Sequence, residues 1–226
     1  MMWCKSFLCS SIGKKVLMAL TGISLCGFLL VHLAGNFLLL AGPDAFNAYS
    51  HKLTSMPVIY VAEGLLLLLF FAHLYLSITL TSENMAARPV GYAIVKNQGG
   101  LSRRTLASKS MIVTGSVVAL FVIIHVKMLK FGEWIAYGTT EMRDMYALVL
   151  QSFSNPLIAG AYAIAVALLA VHLLHAFRSA FQTLGINNSK YNALIEKTAL
   201  AFTLLVGAGF AFFPLWFLLQ ALQKGN

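Results

Sequence analysis

Five long, almost unbroken apolar runs constrain this chain more than any other feature of its sequence. They lie near residues 16–41, 58–80, 111–129, 157–177 and 199–219. Each is close to the ~20 residues a helix needs to cross the hydrocarbon core of a bilayer. Backbone polar groups in lipid find no water, so they must be paired within the segment, and helices achieve this. Only 10% of the 226 residues are charged, against roughly a quarter in soluble domains. The expected fold is all-α, a single domain over residues 1–226 forming a bundle of five transmembrane helices. No strong internal repeat, linker or low-complexity stretch divides it.

The opening MMWCKSFLCSSIGKK is basic and precedes an apolar run, as in a signal peptide. The run is longer than the ~7–15 residues of such a signal, and no small-x-small cleavage site interrupts it. Leu25 before Cys26 is a poor lipoprotein cleavage site, so the first helix is expected to be retained. The net charge of +9 is unevenly placed. Lys5, Lys14, Lys15, Arg88, Lys96, Arg103, Arg104, Lys109, Arg178, Lys190 and Lys197 fall on one side of the five runs, eleven basic residues in all. Lys52, Lys127, Lys130, Arg143 and Lys224 fall on the other, where Asp44, Glu133, Glu141 and Asp144 offset them. Basic residues collect in short cytoplasmic loops. The expected N-terminus is therefore cytoplasmic and the C-terminus outside. The basic excess reads as topology and needs no nucleic acid. The three cysteines, Cys4, Cys9 and Cys26, form no CxxC or CxxCH, which excludes covalent c-type haem.

Five of the six histidines lie inside the apolar runs: His32, His73, His125, His172 and His175. Ionisable residues are costly there and mark functional sites. His32 and His125 come late in two outward-running segments, and His73 and His172 late in two inward-running ones. Each is about six residues, roughly 9 Å at the helical rise, from its nearer surface. In a ~30 Å core the two levels are then about 12 Å apart. Packed core histidines do not predict two pairs at matched depths. Two b-type haems, each ligated by imidazole on both faces, account for the pairing best. Zinc wants about four N or S ligands at one level, and no cysteine or carboxylate completes either set. A proton relay uses the same residues without explaining the pairs. Gly22, Gly27, Ala34, Gly35, Ala72, Gly115 and Ala176 suit a flat macrocycle, although small residues also serve ordinary helix packing.

Short stretches distributed in order along 11–219 carry a family resemblance. They are KKVLMALTG, LVHLAGN, AFNAYSHKL followed by SMP, YVAEG, FFAHLYL, IIHV and HLLHAFRSAFQTLG. The chain resembles the single-subunit, di-haem cytochrome b (b558-type) membrane anchor of succinate dehydrogenases and fumarate reductases. The resemblance implies one haem ligand on each of the first four spans, first paired with third and second with fourth. His32 and His125 would then hold the distal haem b, and His73 and His172 the proximal one. The fourth ligand of that family is the first histidine of H-x-x-[HN]-[GA], which selects His172 over His175. His175 and Arg178 then fall near the proximal haem's propionates, for which donors and cations are natural partners. A snorkelling Arg178 and a packed His175 are the plainer readings.

The resemblance also implies an electron path. A flavoprotein subunit with FAD would oxidise succinate or reduce fumarate on the cytoplasmic side. An iron–sulfur subunit would carry electrons to or from this anchor in a bacterial cytoplasmic membrane. A quinone, menaquinone being the expected type, would react near the distal haem, and the resemblance allows a dimer of heterotrimers. Glu63 is the acid deepest in a run and His51 lies between the first two runs. Both are candidates for proton exchange with quinone, ahead of Asn36 and Asn47. Two departures stand out. Some fumarate reductases of this family have a glutamate two residues before the fourth ligand, and Ala170 is there instead. A quinol-oxidising acid after the His51 region is replaced by Thr54 and Ser55. These losses disfavour proton compensation through that route and lean towards succinate oxidation. The alternatives are the di-haem cytochrome b of a membrane-bound hydrogenase or formate dehydrogenase, which would not carry this ordered motif set, and a histidine-relay transporter. Transporters are usually built on repeats with broken helices.

Overall fold

The computed structural model describes residues 9–87, 110–186 and 188–224, and Phe7. The basic residues Lys5, Arg88, Lys96, Arg103, Arg104 and Lys109 lie outside the described residues, as does Cys4. Five helices are long and apolar enough to cross a membrane. They are α1 (Ser11–Asn36), α3 (Val58–Ala86), α4 (Met111–His125, prolonged by a π turn so that its span runs to Lys130), α6 (Pro156–Thr183) and α7 (Asn192–Lys224). Two shorter helices, α2 (Pro43–Ser55) and α5 (Met145–Ser154), occupy connections. No strand occurs among the described residues, only an isolated bridge between Ala136 and Arg143.

Most spans outrun the apolar segments that announce them, and the ends explain why. Helix start is a matter of capping, whereas hydropathy marks only the lipid-filled portion. Ser10 Oγ accepts from Gly13 N at 3.1 Å and starts α1 in a polar lead. Asn155 Oδ1 accepts from Leu157 N at 2.9 Å just before Pro156, so α6 begins with a cap and a proline in its first turn. Past α1 a 3₁₀ turn covers Phe37–Ala41. Gly42 follows at φ 95°, a conformation other side chains resist, and Pro43 opens α2. The helix α4 runs on into a π turn at Val126–Lys130. π turns of this kind occur disproportionately at functional sites.

The spans alternate in direction. One end of the bundle, the amino end, holds the start of α1, and the opposite, carboxyl end holds the finish of α7. Lipid offers no hydrophobic drive for helices to associate, so close packing and polar contacts do that work. A Cβ on Gly207 would come within 3.1 Å of Ala170 Cβ, and one on Gly209 within 2.8 Å of Leu33. Small residues thus let α7 approach α6 and α1. Cys26, Leu169, Leu173 and Val206 form a buried cluster that joins α1, α6 and α7. Ion pairs tie the ends: Lys14 to Glu83 and Arg178 to Glu196 at the amino end, Lys130 to Glu63 at the carboxyl end. By contrast α3 buries only Leu76 and Leu80, and its Val61, Leu68 and Tyr75 are exposed, as suits a helix facing lipid.

The two connecting helices cover the carboxyl end. Asn47 of α2 is fully buried, donates to Asp144 Oδ1 at 2.8 Å and accepts from Tyr146 N at 2.9 Å. Asp144 in turn caps α5 by accepting from Ala147 N. Tyr137 hydrogen-bonds Asp44, and that bond holds its phenol above the usual range. Arg143 donates to the carbonyls of Lys130, Gly132 and Glu133 at 2.8–2.9 Å. It thereby satisfies carbonyl groups that the end of α4 and the turn after it leave open. A buried cluster of Leu33, Leu39, Phe46, Val149, Phe153, Tyr162, Phe213 and Phe217 fills the space beneath.

The charge distribution predicts the amino end in the cytoplasm. Ser189 lies at the amino end and Ser50 at the carboxyl end, on α2. An impermeant thiol reagent on intact cells should label Ser50→Cys and spare Ser189→Cys. The reverse pattern would invert the topology.

Candidate functional site: two pairs of imidazoles

Four of the five histidines inside the spans fall at two levels. At the carboxyl-end level His32 of α1 faces His125 of α4. Their ring centroids are 5.8 Å apart and their planes cross at 89°. Two imidazoles on opposite sides of one metal ion, with metal–nitrogen bonds of ~2 Å and about 1 Å from nitrogen to ring centre, would place the centroids about 6 Å apart. The observed separation fits that requirement. Phe28 stacks on His32 at 5.3 Å, Phe210 lies 5.6 Å from His32, and Phe121 lies 5.6 Å from His125. Tyr162 of α6 brings its hydroxyl to 3.3 Å from His125 Nδ1. The surroundings are otherwise apolar, as a buried macrocycle would need.

At the amino-end level His73 of α3 and His172 of α6 lie close enough to interact electrostatically. Each is held from a neighbouring span. Thr21 Oγ1 lies 3.1 Å from His73 Nδ1, and Thr114 Oγ1 lies 3.3 Å from His172 Nδ1. A Cβ added to Gly22 would sit 3.3 Å from His73 Cε1, and one on Gly115 would sit 3.2 Å from His172 Cε1. Each glycine therefore makes the room into which an imidazole edge fits. Thr21 and His32 are eleven residues apart on α1, which is about 16 Å of helix on nearly the same face. The two levels are thus somewhat farther apart than the sequence-based ~12 Å, which took the apolar runs as the full spans.

Among the described residues no three His, Cys, Asp or Glu side chains gather as a metal site. The imidazoles come two by two, the number a haem iron takes from a protein that ligates both faces. Arg178 supplies a further point of fit. One of its terminal nitrogens pairs with Glu196 at 3.1 Å, while its Nε is buried with no hydrogen-bond partner. A propionate at this end would answer that orphaned donor. His175, half-buried one turn from His172 towards the same end, lies in the neighbourhood of Arg178.

The residues considered for quinone chemistry are placed less simply. Glu63 is not the isolated, buried acid its position in an apolar run suggested. It lies in the second turn of α3, its side chain is 34% exposed, and it is paired with Lys130 from the π turn of α4. The physical reason is that α3 begins at Val58, only a turn and a half earlier, and the lysine reaches it across the helix ends. His51 is exposed on α2. Asn47 has both amide atoms committed within the fold. A cleft of about 610 Å³ also opens at the carboxyl end between α4, α5 and α6. It is lined by Ile124, Lys127, Met128, Gln151 and Ile158 among others, within a turn of His125.

The sequence reading passed over one signal. Threonine, glycine and, eleven residues after the threonine, histidine occur as Thr21, Gly22 and His32 on α1 and again as Thr114, Gly115 and His125 on α4. A search for identical spacing around the intramembrane histidines would have found it. No family model, curated protein or solved structure matched the chain.

Proposed function

We propose that this chain is the di-haem cytochrome b anchor of a succinate:quinone oxidoreductase. In that role it passes electrons between an iron–sulfur partner and a membrane quinone. The observation that carries the reading is the placement of four histidines from four different spans at two levels, with the rings of His32 and His125 5.8 Å apart and His172 within electrostatic reach of His73. The order of short motifs from KKVLMALTG to HLLHAFRSAFQTLG adds the dicarboxylate partner to that reading.

His32 and His125 would hold one haem b, His73 and His172 the other. When bound, the haems would supply one-electron carriers. The protein's part is ligation, burial and hydrogen bonding, which set redox potential. Aromatic side chains keep water from the carboxyl-end pair, and Tyr162 orients His125. Reduction of a quinone to quinol takes two electrons and two protons, so a proton donor must stand within hydrogen-bond reach or one water away. Glu63 and His51, at the same end as His32 and His125, are the candidates. The carboxylate chemistry belongs to the flavoprotein, and the cytoplasmic amino end is where its iron–sulfur partner would dock.

Purification of the chain from its native membrane, in mild detergent, tests the assignment. We expect a flavin-containing subunit and an iron–sulfur subunit to accompany it, and succinate to reduce its haem. Co-purification with a hydrogenase or formate dehydrogenase catalytic subunit would overturn the dicarboxylate reading while leaving the haem assignment standing.

A further inference from the structure

We propose that Thr21 and Thr114 are positioning residues for the amino-end pair: their hydroxyls, with the glycine that follows each, select the tautomer and ring orientation of His73 and His172. The inference deepens the di-haem reading and rests on it. The chemistry starts with one proton. A threonine hydroxyl has a single hydrogen, and in both cases helix carbonyls claim it. Thr21 Oγ1 donates to Leu17 O at 2.9 Å or Met18 O at 3.1 Å, and Thr114 Oγ1 to Ser110 O at 3.0 Å or Met111 O at 3.3 Å. What remains on each oxygen is lone pairs, which only accept. The nitrogen 3.1–3.3 Å away is Nδ1 in both histidines, so Nδ1 is the protonated nitrogen. Nε2 then carries the free lone pair, the form in which a neutral imidazole binds metal, and the partner of the other nitrogen sets which one does so.

Shape reinforces this. The glycines stand against Cε1, the carbon between the two nitrogens, at distances where an added Cβ would force the ring to give way. Hydroxyl and glycine together thus fix the ring's depth and its rotation. Repetition argues against accident. The same Thr-Gly pair occurs on α1 and α4, in each case with the threonine eleven residues before a carboxyl-end histidine. Those eleven residues bring threonine and histidine back to nearly the same helix face. Each of these two spans therefore gives a ligand to one level and a clasp to the other. His125 has Tyr162 instead of threonine, so the two levels are held by different donors and acceptors.

A hydrogen bond from Nδ1–H raises the electron density an imidazole gives to iron and favours the ferric state. Its loss should shift that haem's midpoint potential upward. The test uses the full chain in its native complex, with haem content, potentiometric titration of each haem band and the ferric low-spin electron paramagnetic resonance signals as readouts. Thr21→Ala, Thr114→Ala and the double variant should raise the potential and alter the signal of one haem only. Thr21→Ser and Thr114→Ser should behave as wild type. Gly22→Ala and Gly115→Ala should perturb the same haem's signal. Serine variants that shift as far as alanine variants, or alanine variants with both potentials and signals unchanged, would overturn the inference. A wild-type complex without haem would instead overturn the di-haem reading, so the two failures are distinguishable.

Discussion

Replacing His172 by alanine should cost the protein the haem at its amino end and leave the other in place. His172 lies at the level of His73, and its Nδ1 is 3.3 Å from Thr114 Oγ1, so in the proposed site its Nε2 would be the nitrogen offered to the haem iron. Alanine would remove one of the two histidines proposed to hold that haem, and His175 cannot replace it. Three residues at ~100° each turn its side chain about 60° round the helix and lift it ~4.5 Å along the axis. His175→Ala should retain both haems and change the spectrum or potential of the amino-end one. Haem content per chain, measured on purified complex, is expected to halve for His172→Ala and hold for His175→Ala. Full haem content in His172→Ala would overturn the ligand assignment.

The second large effect is expected at Glu63. Glutamine keeps its shape and its capacity to hydrogen-bond but removes the exchangeable proton. It also leaves Lys130 without the carboxylate it pairs with. Loss of a positioned acid–base group typically costs about 100-fold or more in rate. Succinate-to-quinone electron transfer in Glu63→Gln should fall by roughly that factor, while both haems and succinate-to-dye activity persist. The π turn that delivers Lys130 makes Lys130→Met a useful companion, because it removes the cation and spares the acid. Wild-type quinone reduction in Glu63→Gln would make Glu63 a structural ion-pair partner. His51, and the cleft beside Lys127 and Gln151, would then be the next places to look.

The fold was legible because lipid permits so few solutions. Five apolar runs became five spanning helices at the expected places, with ends that moved outward. Ser10 and Asn155 decided those ends through caps that hydropathy does not register. The helices α2 and α5 were missed because their apolar faces are short and packed against the bundle's carboxyl end, where Asn47 and Asp144 fasten them together. The meeting of His32 with His125 followed from depth alone, since equal distances from the same surface put them at one level. What depth could not supply was lateral: which side chains from neighbouring spans reach each ring. Thr21 and Thr114 drew no notice in the sequence, and packing brings them to Nδ1. Glu63 shows the opposite failure. Its run looked buried from the sequence, but a side chain one and a half turns from a helix start is within reach of a lysine at the end of its neighbour.

The central claim is that each chain holds two haems between four histidines. It is tested most directly by the reduced-minus-oxidised visible spectrum of the purified protein, with haem and protein quantified on the same sample. The account predicts a b-type α-band, extractable non-covalent haem at two per chain, and two distinct steps in a redox titration. It further predicts that His32→Ala or His125→Ala removes one step and His73→Ala or His172→Ala the other. A purified, folded protein from haem-replete cells with no α-band, or one whose haem survives all four substitutions, would contradict it.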